Sequence, residues 1–148
     1  MKAREIMTSN PVTVTPTDTI ALASQLMRDL NIGCVPVVEN KAEPVLLGLL
    51  TDRDVTVRCV AREVPSSTKV GEAMTKAPLK TVRPEADVSE VIHKMEGAQV
   101  RRIPVVSDKG VLLGMIAQAD VATKIGPREP DVIEELLERV SEPVPVTV

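Results

Sequence analysis

The stretch Gly48-Leu49-Leu50-Thr51-Asp52-Arg53-Asp54 decides how this chain is read. It closes an apolar run (Val45, Leu46, Leu47, Leu49, Leu50) that predicts a buried strand, bounded by Pro44 and by a turn into Asp52. Val55, Cys59 and Val60 follow at helical spacing, so the strand ends where a helix begins. A helix start carries unpaired backbone N–H groups and a positive dipole end, which suits a phosphate. Asp54, one turn in, offers a carboxylate to the hydroxyls of a sugar. The same residues also read as a plain helix cap, with Thr51 at the N-cap and Asp54 completing something like a capping box. The stretch alone leaves both readings open. A second copy bears on the choice: Gly114-Met115-Ile116-Ala117-Gln118-Ala119-Asp120 repeats the glycine, the apolar pair and the closing aspartate.

Working outward, Glu5-Ile6-Met7-Thr8 leads through Asn10-Pro11 into Val12-Thr13-Val14-Thr15, a predicted short strand ended by Pro16. Thr19 caps a helix with Ile20, Ala23, Met27 and Leu30 on one face, and Asn31-Ile32-Gly33 stops it with a glycine C-cap. Cys34-Val35-Pro36-Val37-Val38 predicts a strand whose proline implies an edge position or a bulge. The strand ending at Leu50 pairs back on it as a hairpin, and a helix runs from about Asp52 to Arg62. Residues 1–64 thus form strand, helix, strand, strand, helix.

Val64-Pro65-Ser66-Ser67-Thr68 marks a boundary, and residues 65–126 repeat the plan. Ala73-Met74-Thr75 echoes Ile6-Met7-Thr8, and Lys80-Thr81-Val82 before Pro84 echoes Val12-Thr13-Val14 before Pro16. Asp87-Val88-Ser89-Glu90 predicts a capping box opening a helix with Val88, Val91, Ile92 and Met95 on one face. Ile103-Pro104-Val105-Val106 echoes Val35-Pro36-Val37-Val38, and a last helix of the repeat runs from Gln118 to about Ile125. Two such units cannot each cover both sheet faces alone, so they are expected to pack together. Residues 127–148 add a helix with Val132, Ile133, Leu136, Leu137 and Val140 as its apolar stripe, then an extended tail, Val144 to Val148.

Composition narrows the function classes. A chain of 148 residues with 43% apolar and 26% charged residues is an ordinary globular sequence. A net charge of -3 gives no basic field for nucleic acid, and the absence of Phe, Tyr and Trp removes the usual base-stacking platforms. No apolar run reaches membrane-spanning length and no signal core opens the chain, so the cytoplasm is the expected compartment. Cys34 and Cys59 lack metal-ligand spacing and read as small buried hydrophobes; with His93, read as surface or half-buried, they make no expected metal site. No nucleophile–base pair or carboxylate dyad can be assembled from the motifs, so no catalytic residue is expected.

With both copies laid out, residues Ala3 to Ile125 resemble a tandem pair of cystathionine-beta-synthase (CBS) domains, the Bateman module, in its stand-alone prokaryotic form. The shared features are Met-Thr, Thr-Val before Pro, Pro-Val-Val, and glycine followed six residues later by aspartate, each twice over. Thr51-Asp52-Arg53-Asp54-Val55 with Arg58, and Arg101-Arg102-Ile103-Pro104, carry the likeness to the stand-alone members. The resemblance implies an α/β fold in the α+β sense: two βαββα repeats packed by pseudo-twofold symmetry, plus the C-terminal helix. It implies clefts between the paired domains that take adenosyl compounds: AMP, ADP, ATP, S-adenosylmethionine or NAD species.

In that family the closing aspartate holds the ribose hydroxyls and the Thr or Ser three before it lies near ribose or phosphate. Thr51 and Asp54 match both roles; Asp120 matches, but Ala117 lacks the hydroxyl. A basic residue before the Pro-bearing strand faces phosphate in the family; Arg101, beside Arg102, matches, while the first copy has Gly33. The candidate ligand set is Thr51, Arg53, Asp54, Gly33, Pro36, Arg101, Arg102 and Asp120. The implied function is regulatory, not enzymatic: an adenine-nucleotide-responsive module acting on a regulated protein. Self-association as a homodimer is expected from the helices that a single pair leaves exposed and from the stripe Val132, Ile133, Leu136, Leu137 and Val140, unless that helix only covers its own domain. The alternative is an interaction module that keeps the fold and binds no nucleotide.

Overall fold

The computed structural model describes residues 1–98 and 100–141; the tail expected to be extended, Val144 to Val148, lies outside them. Among the described residues seven α-helices and six strands follow in chain order. They are α1 (Ala3–Ile6), β1 (Thr8–Ser9), α2 (Ile20–Leu30), β2 (Cys34–Val38), β3 (Leu46–Thr51), α3 (Asp52–Val55), α4 (Val70–Ala73), β4 (Thr75–Lys76), α5 (Val88–Ala98), β5 (Arg102–Val106), β6 (Leu112–Ala117), α6 (Gln118–Ile125) and α7 (Pro130–Ser141). The strands form two three-stranded sheets, β2-β3-β4 and β1-β6-β5. This is the expected mixed helix-and-strand fold.

Local chemistry accounts for most boundaries. Thr19 Oγ1 accepts from the Leu22 N–H at 3.1 Å and starts α2. That helix ends on Asn31, which takes the left-handed conformation (φ 53, ψ 50), not on the expected Gly33; asparagine's short side chain tolerates that region. The expected strands Val12–Thr15 and Lys80–Val82 each shrink to one bridging residue, Val14 beside Val37 and Val82 beside Val105. Prolines 11 and 16, and 78 and 84, flank these segments and remove ladder donors on either side. The helix expected from Asp52 to Arg62 is a single α turn, α3, continued by a wider π turn over Thr56–Val60 in which the Ala61 N–H reaches the Thr56 carbonyl at 2.9 Å. Pro36 sits as expected in an edge strand, opposite Leu49, with a bulge just beyond it at Val37/Val38.

Pattern reading missed β1 and β4. The threonine of each Met-Thr motif opens a two-residue strand, and each strand pairs with the other repeat's glycine stretch. Thr75 and Lys76 lie opposite Leu49 and Gly48, while Thr8 and Ser9 lie opposite Met115 and Gly114. The glycines permit this approach: a Cβ on Gly48 would stand 2.5 Å from the Thr75 carbonyl oxygen, and one on Gly114 would stand 2.8 Å from that of Thr8.

The compact units are therefore not cut at the repeat boundary. Among the described residues, one comprises residues 11–79 with 108–112, the other residues 1–10, 80–107 and 113–141. In the first, Val14, Ile20, Ala23, Met27, Val35, Val37, Leu50 and Cys59 are buried together with Val70 and Ala73 from beyond the boundary. In the second, Ala3 and Ile6 join Val88, Val91, Met95, Ile103, Val105, Ile116 and Val121. The stripe of α7 closes this second core: Ile133, Leu136 and Val140 are buried in it, whereas Leu137 is 45% exposed. Both cores are wholly aliphatic apart from sulfur-bearing Met and Cys.

The glycine constraint makes a test with two signs. Gly48→Ala should destabilise by about 1–3 kcal/mol through overpacking against backbone. Gly97→Ala, on α5 with nothing within 4 Å of an added Cβ, should stabilise by about 0.5–1 kcal/mol through helix propensity. Urea titration of both variants reads the two shifts.

Candidate functional site

The end of β3 and the start of α3 bring the first-copy candidates together as a reciprocal cap. The Asp54 N–H donates to Thr51 Oγ1 at 3.0 Å, and the Thr51 N–H donates to Asp54 Oδ2 at 3.0 Å. The capping reading is thus correct for these residues. It leaves them chemical capacity: the Thr51 hydroxyl still has its proton to donate, and a carboxylate has about four lone-pair sites, of which the cap takes one. Thr75 Oγ1 lies 3.5 Å from Asp54 Oδ2, and Arg58 Nη2 lies 3.8 Å from Oδ1. The Asp54 side chain is 12% exposed, shielded but reachable.

The backbone amides of the junction are occupied, which alters the phosphate reading. The Asp52 N–H donates to the Gly33 carbonyl at 3.0 Å, the Arg53 N–H to Asp52 Oδ1 at 2.9 Å, and the Asp54 N–H to Thr51. An anion here has to be met by side chains, not by the helix start. Arg53 is the exposed cation nearest the cap in sequence, lining a shallow hollow of about 330 Å³ with Asp52, Thr56 and Val57.

The second copy is built the same way with fewer groups. The Ala117 N–H donates to Asp120 Oδ2 at 2.7 Å, and the Gln118 N–H donates to the Arg101 carbonyl at 2.8 Å. Arg101 and Gly33 therefore hold equivalent backbone places, each feeding a carbonyl to the residue after the cap. Ala117 gives no side-chain bond, so half of the cap is missing. The Arg101 and Arg102 side chains are exposed at the start of β5; Pro36 is buried and Gly33 half-buried.

Other candidates fall elsewhere. Cys34 and Cys59 are both buried, as read from the sequence, and burial pushes the Cys59 thiol up, leaving it a neutral apolar filler. His93 is exposed, in a hollow of about 530 Å³ with Ile92, Glu96, Ile125, Arg128 and Val132, which contains none of the candidate ligand residues. Among the described residues no three His, Cys, Asp or Glu side chains are grouped to hold a metal, and no helix is long and apolar enough to cross a membrane. Sequence reasoning missed Thr75 and the role of Arg58. The signal was present in the repeated Met-Thr, but its partner lies in the other repeat.

The family model described as the CBS domain matches residues 3–60 and 70–126. The uncharacterized protein YlbB of Bacillus subtilis is 38% identical over 121 residues, 82% of this chain and 80% of that one. The crystal structure of a putative acetoin utilization protein (AcuB) from Vibrio cholerae is 30% identical with a TM-score of 0.75, covering 97% of this chain and 98% of that one. Two further structures share the fold at lower identity. CBSX2 in complex with AMP has a TM-score of 0.71 at 22% identity, covering 82% of this chain and 93% of that one. The CBS domain pair of MJ0100 in complex with 5-methylthioadenosine and S-adenosyl-L-methionine has 0.74 at 23%, covering 86% and 98%.

The half-built second cap makes a direct prediction. Ala117 already has the extended backbone of an N-cap (φ -97, ψ 156), so Ala117→Thr should restore the missing bond to the Asp120 N–H. The expected gain is about 0.5–1 kcal/mol, and Thr51→Ala should lose about as much. Thermal unfolding of the two variants checks both signs.

Proposed function

The chain belongs to the CBS-domain family, and we propose that it is a regulatory member that binds an adenosyl nucleotide, has no catalytic activity of its own, and passes the signal to a regulated protein. The observation that carries this is the Asp54 carboxylate. It is held by its own helix cap, mostly shielded, and keeps lone pairs for a ribose, with the Thr51 hydroxyl proton available beside it. The AMP and S-adenosyl-L-methionine complexes of CBSX2 and MJ0100 support the same ligand class.

In this proposal the ribose hydroxyls donate to Asp54, Thr51 donates to ribose or phosphate oxygen, and Arg53 meets phosphate charge. Gly33 and Pro36 shape the backbone at β2. Asp120 with Arg101 and Arg102 forms the weaker second-copy site, which lacks the hydroxyl. With no aromatic residue in the chain, the base lies between aliphatic side chains or under an arginine. ADP, ATP and NAD species share the adenosyl part and belong to the same proposal.

AMP, ATP, S-adenosylmethionine and NADH tested against thermal stability should give one or more binders, since a ligand at a hundredfold its Kd adds about 2.7 kcal/mol. Calorimetry on the binder should show Asp54→Ala weakening the tight phase about ten- to a hundredfold, and Asp120→Ala leaving it in place. No melting shift with any of the four would favour the interaction module that binds no nucleotide.

Self-association as a homodimer is the second part of the proposal. Its support is no longer α7, whose stripe is largely taken up by its own core. Leu22, Leu26 and Leu30 recur at one-turn intervals on α2 with Leu22 and Leu30 exposed, and Val57 and Val60 of the π turn are exposed as well. Light scattering should give twice the 15.9 kDa chain mass; a monomer mass at micromolar concentration refutes it.

A further inference from the structure

We propose that Arg58 is a positioning residue tying the Asp54 carboxylate to the exchanged segment Val70–Lys76, so that whatever engages Asp54 also sets how firmly β4 is held. Arg58 Nη1 donates to the carbonyls of Ala73 and Met74, both at 3.1 Å. These carbonyls close α4, where a helix end leaves its acceptors without intrahelical partners. The other guanidinium nitrogen, Nη2, lies 3.8 Å from Asp54 Oδ1, and Thr75 Oγ1 lies 3.5 Å from Asp54 Oδ2. The carboxylate and guanidinium together thus meet three consecutive residues, 73, 74 and 75, immediately before and within the exchanged strand.

The backbone half of this arrangement has a counterpart in the second copy. Lys124 stands four residues after Asp120, as Arg58 stands four after Asp54. Its Nζ donates to the Ile6 carbonyl at 3.3 Å, at the end of α1 and just before the other exchanged strand. A basic residue therefore pins each exchanged segment from the helix that carries the aspartate. Arg58 alone of the two has a planar fork, able to face a carboxylate with one nitrogen and backbone carbonyls with the other. β4 is a strand of only two residues, both exposed, so its opening is local and sensitive to such a pin. A ribose on Asp54 adds donors to a carboxylate that is already held by its cap and still has lone pairs free, and through Arg58 the added contacts steady β4. That last step rests on the adenosyl reading above; the link between Asp54, Arg58 and β4 does not.

The test is amide hydrogen exchange at Ala77, whose N–H donates to the Leu47 carbonyl at 3.0 Å and reports the seating of β4. Val106, whose N–H donates to the Val82 carbonyl at 2.9 Å in the other unit, corrects for global unfolding. Asp54→Asn keeps an oxygen for the Thr51 N–H but loses the charge, and Arg58→Met keeps the stem but loses the fork. Without ligand each should accelerate Ala77 exchange roughly two- to fivefold, the size expected of a partly exposed ion pair. The double variant should be no faster than the faster single one, because the two act as one unit. Parent-like exchange in Asp54→Asn overturns the proposal, as does a double variant equal to the product of the singles; if Arg58→Met does not fold, Asp54→Asn decides. Saturating AMP should slow Ala77 in the parent and not in Arg58→Met. AMP that binds by calorimetry yet leaves Ala77 unchanged overturns the coupling to ligand. Failure of all four nucleotides to bind the parent overturns the adenosyl reading instead, and the ligand-free rates still decide the link.

Discussion

Everything else in this molecule depends on two places where backbone passes backbone with no room for a side chain. At Gly48 the carbonyl of Thr75 fills the space a Cβ would take, and at Gly114 the carbonyl of Thr8 does the same. The methionine before each threonine crowds the same position, with Met74 Sδ 3.1 Å from a Cβ on Gly48 and Met7 Sδ 2.6 Å from one on Gly114. Each glycine admits a strand from the other repeat, and with it a short helix whose apolar residues enter the local core: Val70 and Ala73 in one, Ala3 and Ile6 in the other. Neither repeat completes its own sheet. The duplicated sequence is thus obliged to stay together by backbone pairing as well as by apolar burial. The pairing of Thr8 with Met115 spans most of the chain, a non-local contact of the kind that slows folding.

The candidate site follows from that arrangement. The glycine that admits β4 lies in the strand whose last residue caps α3, so the exchanged Thr75 arrives beside the capping carboxylate. The capping and ribose readings of Asp54, rivals in the sequence, are compatible in the structure. Asp54 closes a capping box, and the bond that does so fixes the carboxylate in place for anything else that approaches. Preorganisation of this sort lowers the ordering cost of binding. The amides of residues 52–54 are occupied, so in the proposed function negative charge would be met by side chains such as Arg53.

Much of this was legible beforehand, and what was not has a common cause. Helix α2 with its Thr19 cap, the β2–β3 hairpin, Pro36 at a sheet edge and the Thr51–Asp54 junction all depend on neighbours close in sequence, and all were found as read. Val12–Thr15 looked like a strand because β-branched residues favour one, but flanking prolines left it a single bridge. The Met-Thr motifs were seen as markers of repetition while their partners, 26 and 107 positions away (Leu49 to Thr75, Thr8 to Met115), carried no local signature. The α7 stripe was visible, yet a stripe does not say which surface it covers. Arg58 was visible as a residue; that it reaches Ala73 and Met74 is a fact of tertiary structure alone.

The aliphatic interior has an optical consequence. Valine, isoleucine, leucine and methionine fill both cores, and the chain has no phenylalanine, tyrosine or tryptophan anywhere. The protein is therefore dark in the near ultraviolet, without intrinsic fluorescence or an aromatic circular-dichroism band. A purine held against it would be the sole strong near-ultraviolet chromophore of the complex, and its induced circular dichroism would report directly on the asymmetry of the pocket around it.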